Sequence, residues 1–409
     1  MGRKQNNSDI QSIYQSAISL HQQGEISRAI KLYEQLIELV PGVAELHYNL
    51  GLALFELEKY KEAIHAYRKA AKLNPKDGDI FFNLGLACKM AEQFDAAEEA
   101  YLEALDLSDD VRDILYNLGC CYQDSGAVEQ ACLVFEKLLE IAPDHLSALN
   151  NLAFLQHLQE NFDSARELYG RVLELDPDRQ SAQHMFATLS GAGDQAPSQE
   201  YVRELFDHYS DNFEENLVKD LEYNTFCILR QAVDGLTEKN TRYENALDLG
   251  CGTGLAGEAF HSTCSRLTGI DLSEKMITQA SEKELYHELH CNDIIEFLEQ
   301  TDHRYDLIIA ADVLPYLGDL APLFSAASRR ATENAFFCFS SEATDKPEWE
   351  LQLTGRYAHN PDYIASTAAQ SGWMVMERFA ANIRKEKNTW IKGTILVFGL
   401  NQSSLSIDP

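Results

Sequence analysis

A segment of 34 residues repeats without insertion through the first half of the chain, and this repeat constrains the fold more than any other feature. Four consecutive copies cover residues 44–77, 78–111, 112–145 and 146–179, and residues 10–43 follow the pattern more loosely. A fixed period of this length is typical of stacked helical hairpins, in which each unit packs only on its neighbours. We therefore expect an all-helical array.

Small residues recur where the two helices of each repeat must pack closely. Each first helix carries a glycine or alanine, and each second helix carries an alanine four residues before an aromatic residue. Proline follows most second helices, where its missing amide ends the helix. The recurring residues are Gly51, Gly85, Gly119 and Ala153, then Ala63, Ala97, Ala131 and Ala165, then Tyr67, Tyr101, Phe135 and Tyr169.

This pattern resembles the tetratricopeptide repeat (TPR) family over residues 10–179. The resemblance implies a right-handed superhelix whose concave face binds a protein or peptide. Residues 180–190 are predicted to form a helix that caps the array, so that the array spans 10–190. The Gly- and Pro-containing segment 191–200 is the predicted linker to a second domain at 201–401.

An asparagine occupies the same position in four successive repeats: Asn49, Asn83, Asn117 and Asn151. In the TPR family this position faces the concave groove, so the resemblance implies a ladder of carboxamides that binds an extended peptide. The alternative is that each asparagine only helps to fix its helix pair. Either way, the array is expected to bind or assemble rather than to catalyse.

Charge and composition exclude several other functions. The formal net charge is −31 and both halves of the chain are acidic, so nucleic acid is not an expected partner. The nine cysteines form no CxxC pair, which argues against a metal site or a disulfide framework. No apolar run approaches the length of a membrane span, and we expect a soluble, cytoplasmic protein. The oligomeric state stays open.

The second half contains the stretch "LDLGCGTGLAG" at residues 247–257. Apolar runs alternate with amphipathic segments from residue 245 onward, which predicts a parallel sheet wound with helices. Ligands of such sheets bind beyond the carboxyl ends of the strands. Gly250, Gly252 and Gly254 follow the first strand there and would let a ligand approach the backbone closely.

Two types of ligand compete for this turn. Read from Gly252, the sequence spells the dinucleotide pattern GxGxxG, with Asp271 at the distance of a ribose-binding acid. In the dinucleotide pattern, however, the first glycine directly ends the strand, and here that glycine is Gly250. Counted from Gly250, Leu255 stands where the third glycine belongs. The pattern that fits in phase is D-x-G-x-G-x-G, with Asp248 as its acid.

That string resembles motif I of the class I S-adenosylmethionine-dependent methyltransferases. Three later segments resemble the ends of strands two to four in this family: "GIDLS" (269–273), "CNDII" (291–295) and "DLIIAADVLPYL" (306–317). Residues 371–400 read as a terminal antiparallel hairpin, which this fold adds to its sheet. The resemblance implies an α/β Rossmann-like domain with a seven-stranded sheet.

The resemblance also assigns cofactor contacts to individual residues. Asp271 would bind the ribose hydroxyls, Asp293 would accept a hydrogen bond from the adenine amine, and Ile294 would pack on the ring. Tyr209 and Phe213, on the helix before strand one, would form a lid or be ordinary core aromatics. The remaining expected contacts to S-adenosylmethionine or S-adenosylhomocysteine are Asp248, Gly250, Cys251, Gly252, Gly254, Leu272, Met276, Asn292 and Ala310.

Methyl transfer is an in-line displacement that mainly needs alignment and exclusion of water, so few catalytic groups are expected. Asp312 and Tyr316, in the loop after strand four, are catalytic candidates. In "TGRYAHNPDY" (354–363), Arg356 and Tyr357 could hold an anionic acceptor and His359 could act as a base. A solvated loop is the alternative for this segment.

The whole layout resembles bacterial methyltransferases with N-terminal TPR repeats. It predicts an enzyme that methylates a small molecule or a protein, with the repeats recruiting a partner. The alternatives are an interaction scaffold that binds S-adenosylmethionine but transfers methyl groups poorly, and an oxidoreductase. The sequence does not identify the acceptor.

Overall fold

The chain divides into two compact units in the computed structural model, Met1–Asp176 and Pro177–Pro409. The structure describes residues 2–191, 199–209, 214, 217–218, 221–386 and 389–400. Within this described part, no helix has both the length and the apolar character needed to cross a membrane.

The first unit consists of paired helices, as the repeat predicts. The described helices are α1 (Gly2–Gln22), α2 (Ile26–Leu39), α3 (Ala44–Glu56), α4 (Tyr60–Leu73), α5 (Gly78–Met90), α6 (Phe94–Leu107), α7 (Arg112–Asp124), α8 (Val128–Ile141), α9 (Leu146–Leu158) and α10 (Phe162–Leu175). The TPR architecture expected from the sequence is therefore confirmed.

The recurring glycines make room for the recurring aromatic rings. A Cβ atom built on Gly85 would lie 2.6 Å from Cε1 of Tyr101, which is far closer than atoms can pack. A Cβ atom built on the equivalent glycines Gly51 and Gly119 would likewise lie 2.5 Å from a ring atom of Tyr67 and Phe135, respectively. Each of these rings is fully buried. The packing that the sequence predicts between the two helices of a repeat is thus present in three successive repeats.

The second unit is an α/β domain. Its helices are α11 (Gln180–Leu189), α12 (Gln199–Tyr209), α13 (Thr225–Leu236), α14 (Leu255–Phe260), α15 (Glu274–Glu282), α16 (Ile294–Gln300), α17 (Ala321–Arg330) and α18 (Pro361–Ala369). Its strands are β1 (Ala246–Leu249), β2 (Leu267–Asp271), β3 (Glu288–Cys291), β4 (Tyr305–Ala310), β5 (Ala331–Ala343), β6 (Trp349–Leu351), β7 (Tyr357–His359), β8 (Trp373–Glu386) and β9 (Thr389–Leu400).

The strands form one sheet in the order β3-β2-β1-β4-β5-β7-β6. Strands β1 to β5 pair in parallel, while β9 pairs antiparallel with β5 and β8 pairs antiparallel with β9. This arrangement confirms the parallel sheet and the terminal antiparallel hairpin. From β1, the chain first adds β2 and β3 on one side and then continues with β4 and β5 on the other side. The strand order therefore reverses at β1, and such sheets bind ligands at this position.

The sheet has nine described strands rather than the seven that the sequence predicts. The two additional strands are the short hairpin β6–β7. Strand β7 pairs in parallel with Glu342 and Ala343 at the end of β5, beyond the point where β4 leaves the sheet. The segment 354–363, expected as a substrate-recognition loop, therefore contains strand β7 and the start of α18.

Helix α11 belongs to the second unit by its contacts. His184 Nε2 lies 3.2 Å from the carbonyl oxygen of Gly355, and the His184 and Tyr201 rings are 4.6 Å apart. The division after Asp176 therefore lies ahead of the predicted linker 191–200, most of which is outside the described residues.

The glycine–aromatic packing leads to a stability prediction. Replacing Gly85 with alanine should destabilise the repeats by about 1–3 kcal/mol, because the new methyl group overlaps the Tyr101 ring. The midpoint of thermal unfolding of the full chain, followed by circular dichroism, measures the effect. Gly42→Ala is the matched control, since nothing lies within 4 Å of the added Cβ. Equal midpoints for the two variants would contradict the packing argument.

Candidate functional site

A sharp backbone turn follows β1 and opens a cleft at the carboxyl ends of the parallel strands. Gly250, Gly252 and Gly254 have φ angles of 66°, 53° and 97°, in the region that side chains disfavour. Gly254 directly precedes the first residue of α14. A Cβ on Gly250 would lie 2.4 Å from Cγ2 of Val313, so this position also lacks space for a side chain.

Asp271, the last residue of β2, ties the turn to the sheet. Its Oδ2 accepts a hydrogen bond from the amide of Gly252 at 2.9 Å, and its Oδ1 accepts one from the amide of Ser273 at 2.9 Å. The carboxylate therefore orients both the glycine turn and the start of α15. It also lines the cleft, where its oxygens can accept further hydrogen bonds.

Asp293 begins the next helix along the sheet edge. Its Oδ1 accepts hydrogen bonds from the amides of Ile295 and Glu296, each at 2.9 Å, so it is the N-cap of α16. Asn292 accepts a hydrogen bond from the amide of Asp293 at 2.8 Å. Asp293 and the buried Ile294 line the cleft together, as the resemblance implies.

Asp248 lies within β1, is fully buried and is not among the described residues that line the cleft. Its Oδ2 accepts a hydrogen bond from the Tyr286 hydroxyl at 2.6 Å, while its Oδ1 has no partner among the described residues. Burial raises the pKa of Asp248 to about 7, and the nearby charge of Asp271 acts in the same direction. The structure therefore places Asp248 as a support behind the turn rather than at the cleft surface.

Tyr286 is a supporting residue that the sequence analysis missed. Its hydroxyl also accepts a hydrogen bond from the amide of Gly257 at 3.1 Å. Its ring occupies the space beside three glycines: a Cβ built on Gly257, Gly269 or Gly254 would lie 2.6, 2.9 or 3.3 Å from a Tyr286 atom. A glycine inside a strand, such as Gly269, often marks a close neighbour, and that was the available signal.

The cleft contains about 1050 Å³ of space, part of it open to solvent. It is lined by most of the residues predicted from the glycine motif and from the ends of β2, β3 and β4. Those predicted residues are Gly250, Cys251, Gly252, Asp271, Leu272, Asp293, Ile294, Asp312 and Tyr316. The predicted residues Gly254, Met276, Asn292 and Ala310 are not among the described lining residues, and Met276 and Ala310 are fully buried.

Aromatic residues also line the cleft. Phe206 on α12 lines the cleft, and its ring centroid lies 5.1 Å from that of Tyr316. Val202, Tyr223 and Phe226 line the cleft as well, and none of them was predicted from the sequence as a site residue. Of the two predicted lid residues, Phe213 and the side chain of Tyr209 lie outside what the structure describes.

Asp312 occupies an unusual position in the loop after β4. Its φ angle is 60°, which is unfavourable for a residue with a side chain, and its amide donates to Ser340 Oγ at 3.0 Å. Arg384 on β8 places Nη1 at 2.9 and 2.7 Å from the two Asp312 carboxylate oxygens. This partner could not be predicted from the sequence, because Arg384 lies 72 residues further along the chain.

Arg384 is the centre of a charged cluster, which we name the buried charged cluster and define as Asp312, Glu342, Arg356, Arg384 and Glu386. Arg384 and Glu342 are buried, and the other three side chains are half-buried. Arg384 contacts Glu342 directly and has Nη2 at 3.3 Å from Glu386 Oε1. Arg356 places Nε at 3.0 Å from Glu342 Oε1 and also contacts Glu386. The nearby guanidinium groups hold the pKa of Glu386 below its usual value, against the effect of burial.

The predicted acceptor-binding residues Arg356, Tyr357 and His359 do not reach the cleft. Arg356 belongs to the buried charged cluster, and Tyr357 and His359 are fully buried in β7. His359 Nε2 lies 3.0 Å from the carbonyl oxygen of Gly318, and Nδ1 lies 3.2 Å from Ser341 Oγ. Burial lowers the pKa of His359 to about 4. This environment fits a structural histidine and does not fit the predicted base.

The buried Asp248 leads to a prediction about pH. Because its pKa is raised to about 7 in the folded chain, the folded state keeps a proton that the unfolded state loses near pH 4. Stability from this group is therefore present at low pH and lost as the pH rises through 7. Replacing Asp248 with asparagine should stabilise the chain relative to wild type more at pH 8 than at pH 5.

Urea unfolding of the wild type and the variant at both pH values measures this difference. Asp302→Asn is the matched control, since Asp302 is exposed before β4 and should show the same difference at both pH values. A pH-independent effect of Asp248→Asn would contradict the buried, protonated carboxyl group.

Comparisons with known proteins agree with both halves of this structure. Residues 247–337 match a family model described as a methyltransferase domain, and residues 14–78, 52–111 and 110–178 match tetratricopeptide repeat models.

Within the described residues, no group of three or more His, Cys, Asp or Glu side chains is arranged to hold a metal ion.

Two curated relatives are similar to parts of the chain. Nodulation protein S of Sinorhizobium fredii is 36% identical over 84 residues, covering 20% of this chain and 38% of the relative. A ubiquinone biosynthesis O-methyltransferase of Coxiella burnetii is 34% identical over 80 residues, covering 19% of this chain and 34% of the relative. The chain thus spans little more than a third of the length of these relatives.

A solved structure of the N-methyltransferase NodS from Bradyrhizobium japonicum, in complex with S-adenosyl-L-homocysteine, is 20% identical to this chain. The match covers 49% of this chain and 98% of that structure, with a TM-score of 0.40, which is too low to support an inference. The family models and the sheet order agree on the fold: an array of tetratricopeptide repeats is followed by an α/β methyltransferase-like domain with a mostly parallel sheet.

Proposed function

We propose that the second unit is an S-adenosylmethionine-dependent methyltransferase and that the repeats bind a protein or peptide partner. One observation carries the first part of the proposal. The glycine turn, the Asp271 carboxylate and the Asp293–Ile294 pair line a single cleft at the carboxyl ends of β1, β2 and β3.

The residues of the cleft fit the parts of this cofactor. The Asp271 carboxylate suits a pair of ribose hydroxyls, since it can accept hydrogen bonds from both. Ile294 offers an apolar surface for a purine ring, beside the Asp293 carboxylate that can accept from an exocyclic amine. The glycine turn leaves room for the amino-acid end against the backbone.

The charge of the cleft distinguishes this cofactor from a dinucleotide. Asp271, Asp293 and Asp312 all line the cleft, and the described lining residues include no lysine, arginine or histidine. Carboxylates repel the diphosphate of a nicotinamide dinucleotide but attract a positively charged sulfonium group. The acidic lining supports S-adenosylmethionine as the ligand of the glycine turn and disfavours the oxidoreductase.

When bound, S-adenosylmethionine supplies a methyl group made electrophilic by the adjacent sulfonium. The protein's contribution is to orient an acceptor and to keep water away from the cleft. Phe206, Tyr223 and Tyr316 form an apolar wall that suits this role. Burial raises the pKa of both tyrosines, so they stay neutral at physiological pH.

The names of the relatives do not agree on an acceptor. The Coxiella burnetii relative is an O-methyltransferase, and the NodS structure is an N-methyltransferase. We therefore propose methyl transfer from S-adenosylmethionine and do not infer the acceptor from the names of these relatives.

The asparagine ladder supports binding of a peptide by the repeats, with the side-chain carbonyl oxygens rather than the amide nitrogens available to the peptide. Asn49 and Asn83 donate through Nδ2 to the hydroxyls of Tyr14 and Tyr48, both at 3.1 Å, and Asn117 donates to the carbonyl of Asp113 at 2.8 Å. The amide nitrogens are thus used inside the array. None of the hydrogen bonds described for these asparagines uses the side-chain carbonyl oxygen. These oxygens can accept hydrogen bonds, so the ladder suits the N–H groups of an extended peptide.

Binding of S-adenosylhomocysteine tests the cofactor assignment. Isothermal titration calorimetry of the full chain should show binding, and Asp271→Ala should weaken it at least about tenfold through lost hydrogen bonds to the ribose. Asp302→Ala is the control, since Asp302 is exposed outside the cleft. Binding of NAD in place of S-adenosylhomocysteine, or an Asp271→Ala variant with unchanged affinity, would contradict the proposal.

Capture experiments with the full chain test the ladder. Protein partners bound by the wild type should be reduced at least about tenfold in the double variant Asn83→Ala/Asn117→Ala, because two hydrogen-bonding positions are lost. Quantitative mass spectrometry of the captured proteins measures this loss. Asn161→Ala, before α10, controls for removal of an asparagine in the same unit. Partners retained equally by all three proteins would contradict a peptide-binding ladder.

A further inference from the structure

The cleft has a second half that the cofactor assignment leaves unused. In the sheet, β2 and β3 lie on one side of β1 and β4 lies on the other. Asp271 and Asp293 therefore belong to the half proposed for the cofactor. We define the acceptor half by Phe206, Tyr223, Asp312, Tyr316 and Leu317, which line the cleft from α12, from the segment before α13 and from the loop after β4.

From this half we propose, on the basis of the methyltransferase function above, that the acceptor is an amine with an apolar body and that Asp312 selects it. Three observations carry this inference: the charge of the buried cluster behind Asp312, the fixed position of its carboxylate, and the aromatic lining around it.

The buried charged cluster has an excess of negative charge. Its three carboxylates, from Asp312, Glu342 and Glu386, face two guanidinium groups, from Arg356 and Arg384. One negative charge is therefore uncompensated within the described cluster. Arg384 and Glu342 are 3% and 2% exposed, and although Glu386 is 31% exposed it is not among the described residues that line the cleft. Asp312, which is 20% exposed, is the carboxylate of the cluster that lines the cleft. The excess charge is presented to a ligand at Asp312.

The position of Asp312 is fixed from two directions. Arg384 holds both carboxylate oxygens, and Ser340 accepts a hydrogen bond from the Asp312 amide. The left-handed backbone at φ 60° costs free energy, and such conformations concentrate at functional sites. Burying ion pairs is also an inefficient way to stabilise a fold. Both the strained backbone of Asp312 and the burial of the ion pairs are explained if the cluster serves to hold the Asp312 carboxylate at the cleft.

The surroundings of Asp312 suit an apolar cation. Phe206, Tyr223 and Tyr316 line this half with aromatic rings. Aromatic rings attract ammonium groups and also pack against the apolar part of a ligand. An anionic acceptor would face Asp312 with no lysine, arginine or histidine among the described lining residues to balance it. Arg356, which the sequence suggested for an anionic acceptor, is engaged with Glu342, and His359, the suggested base, lies beside the carbonyl oxygen of Gly318.

The chemistry of transfer is compatible with binding as an ammonium ion. The bound ammonium first gives a proton to water, which frees the nitrogen lone pair. The lone pair forms the new N–C bond while the C–S bond breaks and its electron pair passes to sulfur. The product is an N-methylated ammonium ion and neutral S-adenosylhomocysteine, so charge and atoms balance.

Two small probes of similar shape and opposite charge test the acceptor class. The full chain is first saturated with S-adenosylhomocysteine, and binding of 2-phenylethylamine and of 3-phenylpropionate is then measured by ligand-observed nuclear magnetic resonance. We expect the amine to bind at least about tenfold more tightly than the carboxylate, equivalent to about 1.4 kcal/mol. Equal or tighter binding of the carboxylate, or no binding of the amine, would overturn the inference.

Variants at Asp312 assign the selectivity to its charge. Asp312→Asn should bring the affinity ratio close to one, Asp312→Glu should retain a preference for the amine, and the control Asp302→Asn should leave the ratio unchanged. Each variant's affinity for S-adenosylhomocysteine reports whether its cleft is intact. An unchanged ratio in Asp312→Asn with normal S-adenosylhomocysteine binding would contradict the inference alone. Failure of the wild type to bind S-adenosylhomocysteine would instead overturn the proposed function on which it rests.

Discussion

The hydrogen bond from the Gly252 amide to the Asp271 carboxylate is the interaction on which the candidate site depends. A turn with three left-handed glycines has high backbone entropy when unfolded, so it needs external contacts to hold one shape. Asp271 fixes it from the side, and Tyr286 fills the space beside Gly254 and Gly257. Because β1 and β2 are adjacent parallel strands, the same bond also brings the turn and the second-strand carboxylate to one cleft.

The far side of the cleft depends on the terminal hairpin. Strand β9 pairs along β5 and β8 pairs along β9, which carries Arg384 to the end of the sheet next to the loop after β4. There Arg384 holds Asp312, while β7 extends the sheet beyond β4 and buries His359. The hairpin thus does more than close the sheet edge: it places a buried cation behind the one acceptor-side carboxylate that the structure describes.

The sequence predicted those features that depend on local pattern. A 34-residue period and a glycine motif in phase with a strand were sufficient for the repeats, the parallel sheet and the residues Gly250, Asp271 and Asp293 at the cleft. Contacts between distant segments could not be predicted this way. Tyr286 is 38 residues from Asp248, and Arg384 is 72 residues from Asp312. The polar segment around Arg356 reads as a loop, because the pairing of β7 with the end of β5 leaves no local signal.

A crystal structure of the full chain with S-adenosylhomocysteine tests the central claim most directly. We expect the ribose hydroxyls to lie within hydrogen-bonding distance of Asp271, the purine ring against Ile294, and the sulfur atom facing the acceptor half beside Asp312. A cleft that stays empty at saturating S-adenosylhomocysteine, or a molecule bound away from the glycine turn, would contradict the proposed enzyme.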